Sequence, residues 1–323
     1  MKKTTSALAI AALLGTGAAS AATFQVNDDT TFSVAANIAY DYIVDENANG
    51  ESETTVSDNS SDFRFSGESV SDNGLTTMLY LEMDDLSTTE ESSGITTDQA
   101  FIGIAGDFGT VRVGSDLGTY GAVDDLKDID NTSGVVGFSN DDENSIRYDL
   151  PAIGNLSAAI AANVYDSGSG GTKSGTSLNA SISYDLGMAS LFAAFDNNGG
   201  EASPNDDPFY GIGAQFEIAG IDTRVTYERD TDASKEVDLT SLTAIYSIGN
   251  GSLYGTIQNV SGDQQADVTA VLTGSADSDS VTQYVVGYTY DLTDNAYVVF
   301  ETGSFGAVND QEDFYSIGAG VGF

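Results

Sequence analysis

From Thr31 to Val44 the chain reads TFSVAANIAYDYIV, and its residues sort by parity. Phe32, Val34, Ala36, Ile38, Tyr40, Tyr42 and Val44 form one face; Ser33, Ala35, Asn37, Ala39 and Asp41 form the other. A period of two is the signature of a strand, whose successive side chains point to opposite sides. The pattern returns in GLTTMLYLEMDD (74–85), where Leu75, Thr77, Leu79, Leu81 and Met83 stand opposite Thr76, Tyr80, Glu82 and Asp84. It also closes the chain: Tyr315, Ile317, Ala319, Val321 and Phe323 are apolar, with Ser316, Gly318, Gly320 and Gly322 between them. A helical period of 3.6 residues persists nowhere in these segments.

Turn chemistry separates the segments. Short connections such as GDFG (106–109), DLGM (185–188), AG (219–220) and GNG (249–251) alternate with longer polar ones at 45–61, 85–94, 167–177 and 197–207. The count comes to about sixteen strands, each with its connection taking about 19 residues, as expected of a membrane barrel. An even number of antiparallel strands with unequal connections at its two ends predicts an all-β fold. We expect a transmembrane antiparallel β-barrel with short periplasmic turns and long extracellular loops. In hydrocarbon every backbone N–H and C=O must pair within the protein, so the sheet has to close on itself. The last strand must then join the first, and Phe323 can anchor at the membrane interface. A soluble β-sandwich alternates too, but it requires neither the regular exchange of short and long connections nor aromatic residues at strand ends. Tyr40/Tyr42, Phe209/Tyr210 and Tyr288/Tyr290 are expected to form such interfacial girdles.

The N-terminus sets the compartment. Lys2 and Lys3 precede a short apolar core, ALAIAALLG (7–15), and Ala19-Ser20-Ala21 supplies the small residues of a cleavage site. Residues 1–21 therefore read as a cleaved secretory signal peptide, leaving 22–323 as the barrel domain. No apolar run long enough for a membrane helix follows. The 323 residues include 50 acidic and 10 basic side chains and no Cys or His. Nucleic acid is repelled by such a chain. Disulfides, the usual zinc sites and Ser-His-Asp or Cys-His nucleophiles are excluded. Carboxylates are spread throughout with no pair singled out, so no enzyme is expected. SGSGG (167–171) follows a strand but opens no helix, and is a loop tip rather than a dinucleotide fingerprint.

The arginines of the strands fall on one face. Arg64 lies between Phe63 and Phe65, Arg112 between Val111 and Val113, Arg147 between Ile146 and Tyr148, and Arg224 shares a face with Asp222 and Glu228. A charge facing lipid costs about 2–4 kcal/mol at the midplane, so this polar face must be the lumen. The longest gap between strands, 117–143, follows the fifth strand and is long enough to be functional.

AFIGIAGDFGTVRVGSD (100–116) resembles the fourth and fifth strands of Gram-negative general porins. Phe101, Gly103, Gly106, Asp107, Phe108, Gly109 and Gly114 match, and the strand ending at Phe323 resembles the family's assembly signal. Ser115 stands where the family often has Arg, and the acidic Pro-Glu-Phe-Gly-Gly-type loop motif of enterobacterial members is absent. The resemblance implies a trimeric, water-filled outer-membrane pore set in lipid and lipopolysaccharide, passed by small hydrophilic solutes. It also implies that 117–143 folds inward as a constriction loop. Arg64, Arg112 and Arg147 would then face Asp124, Asp125, Asp128 and Asp130 across the eyelet and set up a transverse field. The plainer alternative is that these arginines only neutralise neighbours such as Asp62 or Asp149.

The excess of acids predicts a cation-selective pore. DDLKDID (124–130) also offers hard oxygen ligands for Ca²⁺ at Asp124, Asp128 and Asp130, though without the spacing of an EF-hand loop. No other cofactor is expected. Two alternatives remain beside a diffusion pore: a structural or adhesive barrel whose acidic loops bind divalent ions, and a substrate-specific channel. The latter would usually carry a ladder of lumenal aromatics, whereas Tyr80 and Tyr254 look scattered.

Overall fold

A computed structural model of the chain describes residues 21–47, 51–59, 61–84, 95–129, 131–132, 134–138, 144–165, 175–198, 207–232, 236–272, 278–308 and 311–323. The first half contains β1 (Ala22–Asn27), β2 (Thr30–Asn47), β3 (Ser52–Asp58), β4 (Asp62–Val70), β5 (Thr76–Asp84), β6 (Thr96–Gly106), β7 (Gly109–Ser115), the single turn α1 (Gly121–Asp124), β8 (Asn144–Asp149) and β9 (Leu156–Tyr165). The second half adds β10 (Gly175–Asp185), β11 (Ala189–Asp196), β12 (Phe209–Ile218), β13 (Ile221–Asp230), β14 (Val237–Ile248) and β15 (Gly251–Gly262). It ends with α2 (Gln265–Leu272), β16 (Ser280–Thr293), β17 (Ala296–Val308) and β18 (Gln311–Gly322).

Each strand from β4 to β18 pairs antiparallel with the next, and β2 pairs with both β4 and β18. The result is a closed ring of sixteen strands, β2 and β4 to β18. At the seam Tyr315 lies opposite Val44 and Ile317 opposite Tyr42. Phe323 and Ala36 exchange two backbone hydrogen bonds of 2.8 Å. Two residues further along β2, Ala22 of β1 pairs with Val34, so β1 continues the line of β18 and covers the rest of the edge. The chain thus ends inside the ladder and leaves no frayed edge, as hydrocarbon requires.

Burial is inverted relative to a soluble protein. Phe323, Tyr315, Ile317 and Val321 are all exposed on the outside, while Glu228, Gln258, Gln283 and Glu301 are buried inside. Outward apolar side chains face lipid, and inward polar ones form the lumen. β3 departs from the expected layout. The acidic stretch 45–61 reads as a loop, but β2 runs on to Asn47 and β3 pairs back onto it from Tyr40 to Glu46. Thr54, Thr55 and Val56, β-branched residues that fit a pleated surface, sustain the extension. Ser61, between β3 and β4, then ties the chain back to β2, its hydroxyl accepting from the Ala39 amide at 3.0 Å.

Phe209 also departs from expectation. It faces the lumen and is buried, while its neighbour Tyr210 is exposed on the outside as expected of a girdle residue. Arg229 is the reverse case. It points outward at the far end of β13, where it pairs with Glu236 at 2.8 Å and Asp238 at 3.4 Å. Its place at a strand end makes an outward charge tolerable, because the cost falls towards zero near the interface.

The β6–β7 hairpin depends on Gly114. A Cβ there would collide with the Ala100 carbonyl oxygen and the Phe101 backbone. Gly114→Val should destabilise the barrel by about 3 kcal/mol, the upper end for overpacking. Gly67→Ala, which meets only ordinary contacts with Leu79 and Phe32, should change little. Urea midpoints of the two variants in detergent micelles measure the difference.

Candidate functional site

After β7 the chain turns into the barrel. Asp116 adopts a left-handed backbone (φ 53°), a conformation Asp tolerates, and its carbonyl accepts from the Gln99 amide at 2.5 Å. The Thr119 amide and hydroxyl both donate to Asn179 Oδ1 at 2.9 Å, fixing the loop to β10. Tyr120 then packs edge-on against Phe209 (4.6 Å between ring centres), and Val123 is fully buried. The wall makes room with glycines. A Cβ at Gly211 would lie 2.9 Å from both the Tyr120 hydroxyl and Val123, and one at Gly213 would strike Leu126.

Beyond α1 the loop continues around the inside of the wall. Lys127 is buried with its ammonium between Asp124 and Glu228, the latter at 2.6 Å. Its carbonyl accepts from the Thr256 hydroxyl of β15 at 3.1 Å. The Asn131 and Thr132 amides donate to the two oxygens of Glu301 at 2.8 Å each, and the Thr132 hydroxyl donates to Asp41 at 2.6 Å. Gln258 donates to the Val136 carbonyl at 2.7 Å. Val135, Val136 and Phe138 settle on an apolar patch inside the barrel, which includes Val237, Leu239, Val260, Phe305 and Phe314 and is capped by Val268 of α2. One segment therefore bonds to lumenal side chains from β10 round to β18 and β2. The loop lies against the inner wall along that arc.

The opposite wall carries the arginines. Arg64 of β4 donates to Glu82 at 2.6 Å and pairs with Asp62 at 3.0 Å. Arg112 of β7 and Arg147 of β8 lie directly across from each other, and Asp149 bridges them at 2.6 Å and 3.0 Å. Arg147 also donates to the Gly118 carbonyl at 2.6 Å, tying this wall to the start of the loop. Tyr80 is not isolated: it stacks on Phe101 at 5.4 Å, and the Arg112 guanidinium lies 5.5 Å from the far ring centre of that pair. Just above, Glu82, Asp84 and Asp98 bring carboxylate oxygens within 4.8 Å of one another.

Of the acids expected at the eyelet, Asp125 and Asp128 are exposed on the loop, and Asp125 lies within electrostatic reach of Arg147. Asp124 instead turns into the loop, where it holds Lys127 and accepts from the Phe138 amide at 3.0 Å. A Ca²⁺ ion on Asp124 and Asp128 would have to compete with that ammonium. Asp130 lies outside the described residues. Parity puts Asp41 and Glu228 on the lumenal face, but local pattern marks neither of them, nor Lys127 or Glu301, as a residue that holds the loop. The single base in an acidic run was the available signal for Lys127; nothing local marks its partner 101 residues away.

A closed sixteen-stranded barrel, apolar outside, polar inside and crossed by an inward loop, defines a transmembrane pore. The chain belongs to the Gram-negative porin family, whose model matches residues 4–310. It is accordingly an outer-membrane protein. Over 371 aligned positions covering 99% of each chain it is 28% identical to a protein named monosaccharide porin from a Halomonas species. The same figures hold for the major outer membrane protein of Halomonas elongata. Its fold is shared with the anion-selective porin of Comamonas acidovorans (TM-score 0.70, 15% identity, 91% of this chain and all of that one). It is shared also with a loop-deletion mutant of the Vibrio cholerae outer membrane protein OmpT (TM-score 0.69, 14% identity, 92% of this chain and all of that one).

Burial would lower the Lys127 pKa, but the charges of Glu228 and Asp124 outweigh it and hold it above the ordinary 10.5. The ammonium's contribution to loop docking is therefore complete below pH 10.5 and is lost only as pH rises through the higher value of the docked state. Conductance recorded over an alkaline series should stay level to that point and increase beyond it. A comparable increase already at neutral pH would show that another group holds the loop.

Proposed function

We propose that the protein is a cation-selective porin for passive diffusion of small hydrophilic solutes and ions. One observation carries this reading. Among the described residues, every Arg and Lys (Arg64, Arg112, Lys127, Arg147, Arg224 and Arg229) is paired with a carboxylate. The cations of the lumen are already compensated, while the whole chain carries a net charge of −40. With 50 acidic against 10 basic side chains in the whole sequence, carboxylates set the sign of the field. Pairing with Asp62, Glu82 and Asp149 also blunts the transverse field that Arg64, Arg112 and Arg147 would otherwise raise against the loop. The Comamonas porin has the same fold and the opposite preference in its name, which accords with selectivity residing in side chains rather than in the barrel.

A substrate-specific reading has one feature in its favour. The lumenal stack of Tyr80 and Phe101 beside Arg112 supplies aromatic surface and hydrogen-bond donors of the kind sugars use, and a Halomonas relative is named for monosaccharides. Residues 1–21 would be removed on export, leaving Ala22 beside Phe323 at the seam. A homotrimer follows the pattern of the family.

Planar-bilayer recording in a KCl gradient decides the sign. The reversal potential should favour potassium at low salt and weaken as salt rises and screens the lumen. A potential favouring chloride contradicts the proposal. Block of the current by millimolar monosaccharide would turn the assignment towards the specific channel.

A further inference from the structure

We infer that Lys127 is the positioning residue of the pore: its buried ammonium bolts the inward loop to the barrel wall and so holds the constriction in place. The inference rests on the pore reading above, in which this loop sets the channel's cross-section.

Lys127 is only 1% exposed and Glu228 0%, so neither charge is presented to a passing ion. Their geometry is that of a joint. Glu228 uses both oxygens on the loop: Oε1 accepts from Lys127 at 2.6 Å and Oε2 from the Tyr120 hydroxyl at 3.2 Å. Tyr120 and Lys127 bracket α1, so one carboxylate of β13 pins both ends of that turn. Lys127 in turn holds Asp124, which also accepts from the Phe138 amide at 3.0 Å, and thereby draws the returning limb of the loop onto α1. The main chain at the same residue is fixed to β15 through the Thr256 hydroxyl. Below the joint, Val123 and Leu126 occupy the spaces left by Gly211 and Gly213.

Removing the ammonium strands the fully buried Glu228, and the half-buried Asp124 beside it, without a counter-charge. Loss of one partner from a buried pair is strongly destabilising, whereas replacing both by apolar groups is often neutral. The strand ladder does not pass through this joint, so the cost should fall on loop docking and spare the barrel. Lys127→Met should shift the docked-to-undocked ratio by roughly 100-fold or more.

The absence of cysteine from the chain allows a clean test. Val123→Cys places a thiol beneath the docked loop, and its rate of labelling by a maleimide in detergent-solubilised, folded protein reports undocking. In the Lys127 background labelling should be slow; with Lys127→Met it should accelerate by about two orders of magnitude, with larger and noisier single-channel currents. The double variant Lys127→Met/Glu228→Leu should recover much of the protection, which a general loss of stability would not produce. Folding of each variant is checked by its migration with and without boiling. Equal labelling in the Lys127 and Lys127→Met proteins, or no recovery in the double variant, overturns the inference. Faster labelling with unchanged current would uphold the joint and instead contradict the reading that this loop sets the cross-section.

Discussion

Backbone hydrogen bonding at the seam between β18 and β2 is the interaction on which the rest depends. A sheet of sixteen strands in hydrocarbon is tolerable only if its two edges satisfy each other. Phe323 therefore ends within a ladder, and β1 fills the remaining edge of β2. Once closure is imposed, parity decides everything about the two faces. Even positions of β2 meet lipid and odd ones meet water, and the same rule sends Arg64, Arg112 and Arg147 inward.

Closure also explains why the lumen can hold a folded loop. A ring of fixed strands offers a concave wall whose glycines, Gly211 and Gly213, leave sockets for Val123 and Leu126. Polar groups buried there meet partners on the loop: Asn179 with Thr119, Glu228 with Tyr120 and Lys127, Glu301 with Asn131 and Thr132, Gln258 with Val136, while Asn179 Nδ2 and Gln258 Oε1 keep no hydrogen bond among the described residues. This is the ordinary rule that buried polar atoms need partners, applied inside a barrel. The loop also covers apolar lumenal surface, since Val135, Val136 and Phe138 lie on the patch around Leu239 and Val260. The lumen is consequently divided into an arc covered by the loop and an arc lined by the carboxylate-paired arginines Arg64, Arg112 and Arg147.

The barrel was legible in the sequence because a two-residue period is a local property repeated along the chain. Strand order and the β7–β8 position of the long loop followed from counting. Where local pattern and tertiary pairing part company, the reading failed. The acidic stretch 45–61 looked like a loop because charge outweighed its Thr-Thr-Val core, yet pairing with Tyr40–Glu46 makes it a hairpin. Phe209 looked like a girdle residue because Tyr210 beside it is one, but parity turns it inward onto Tyr120. Lys127 was lost among aspartates since its partner Glu228 is brought near only by closure. The pairing of Arg64, Arg112 and Arg147 with Asp62, Glu82 and Asp149 depends on side-chain directions that spacing alone leaves open.

Closure can be tested directly because the chain has no cysteine of its own. Val44→Cys and Tyr315→Cys introduce thiols at positions paired across the seam. Mild oxidation of the folded protein in lipid should join them within one molecule. The pairing Val34→Cys with Tyr315→Cys, displaced by ten positions along β2, should stay reduced. An absence of the first bond, or its appearance only between separate molecules, would contradict a barrel closed by its last strand.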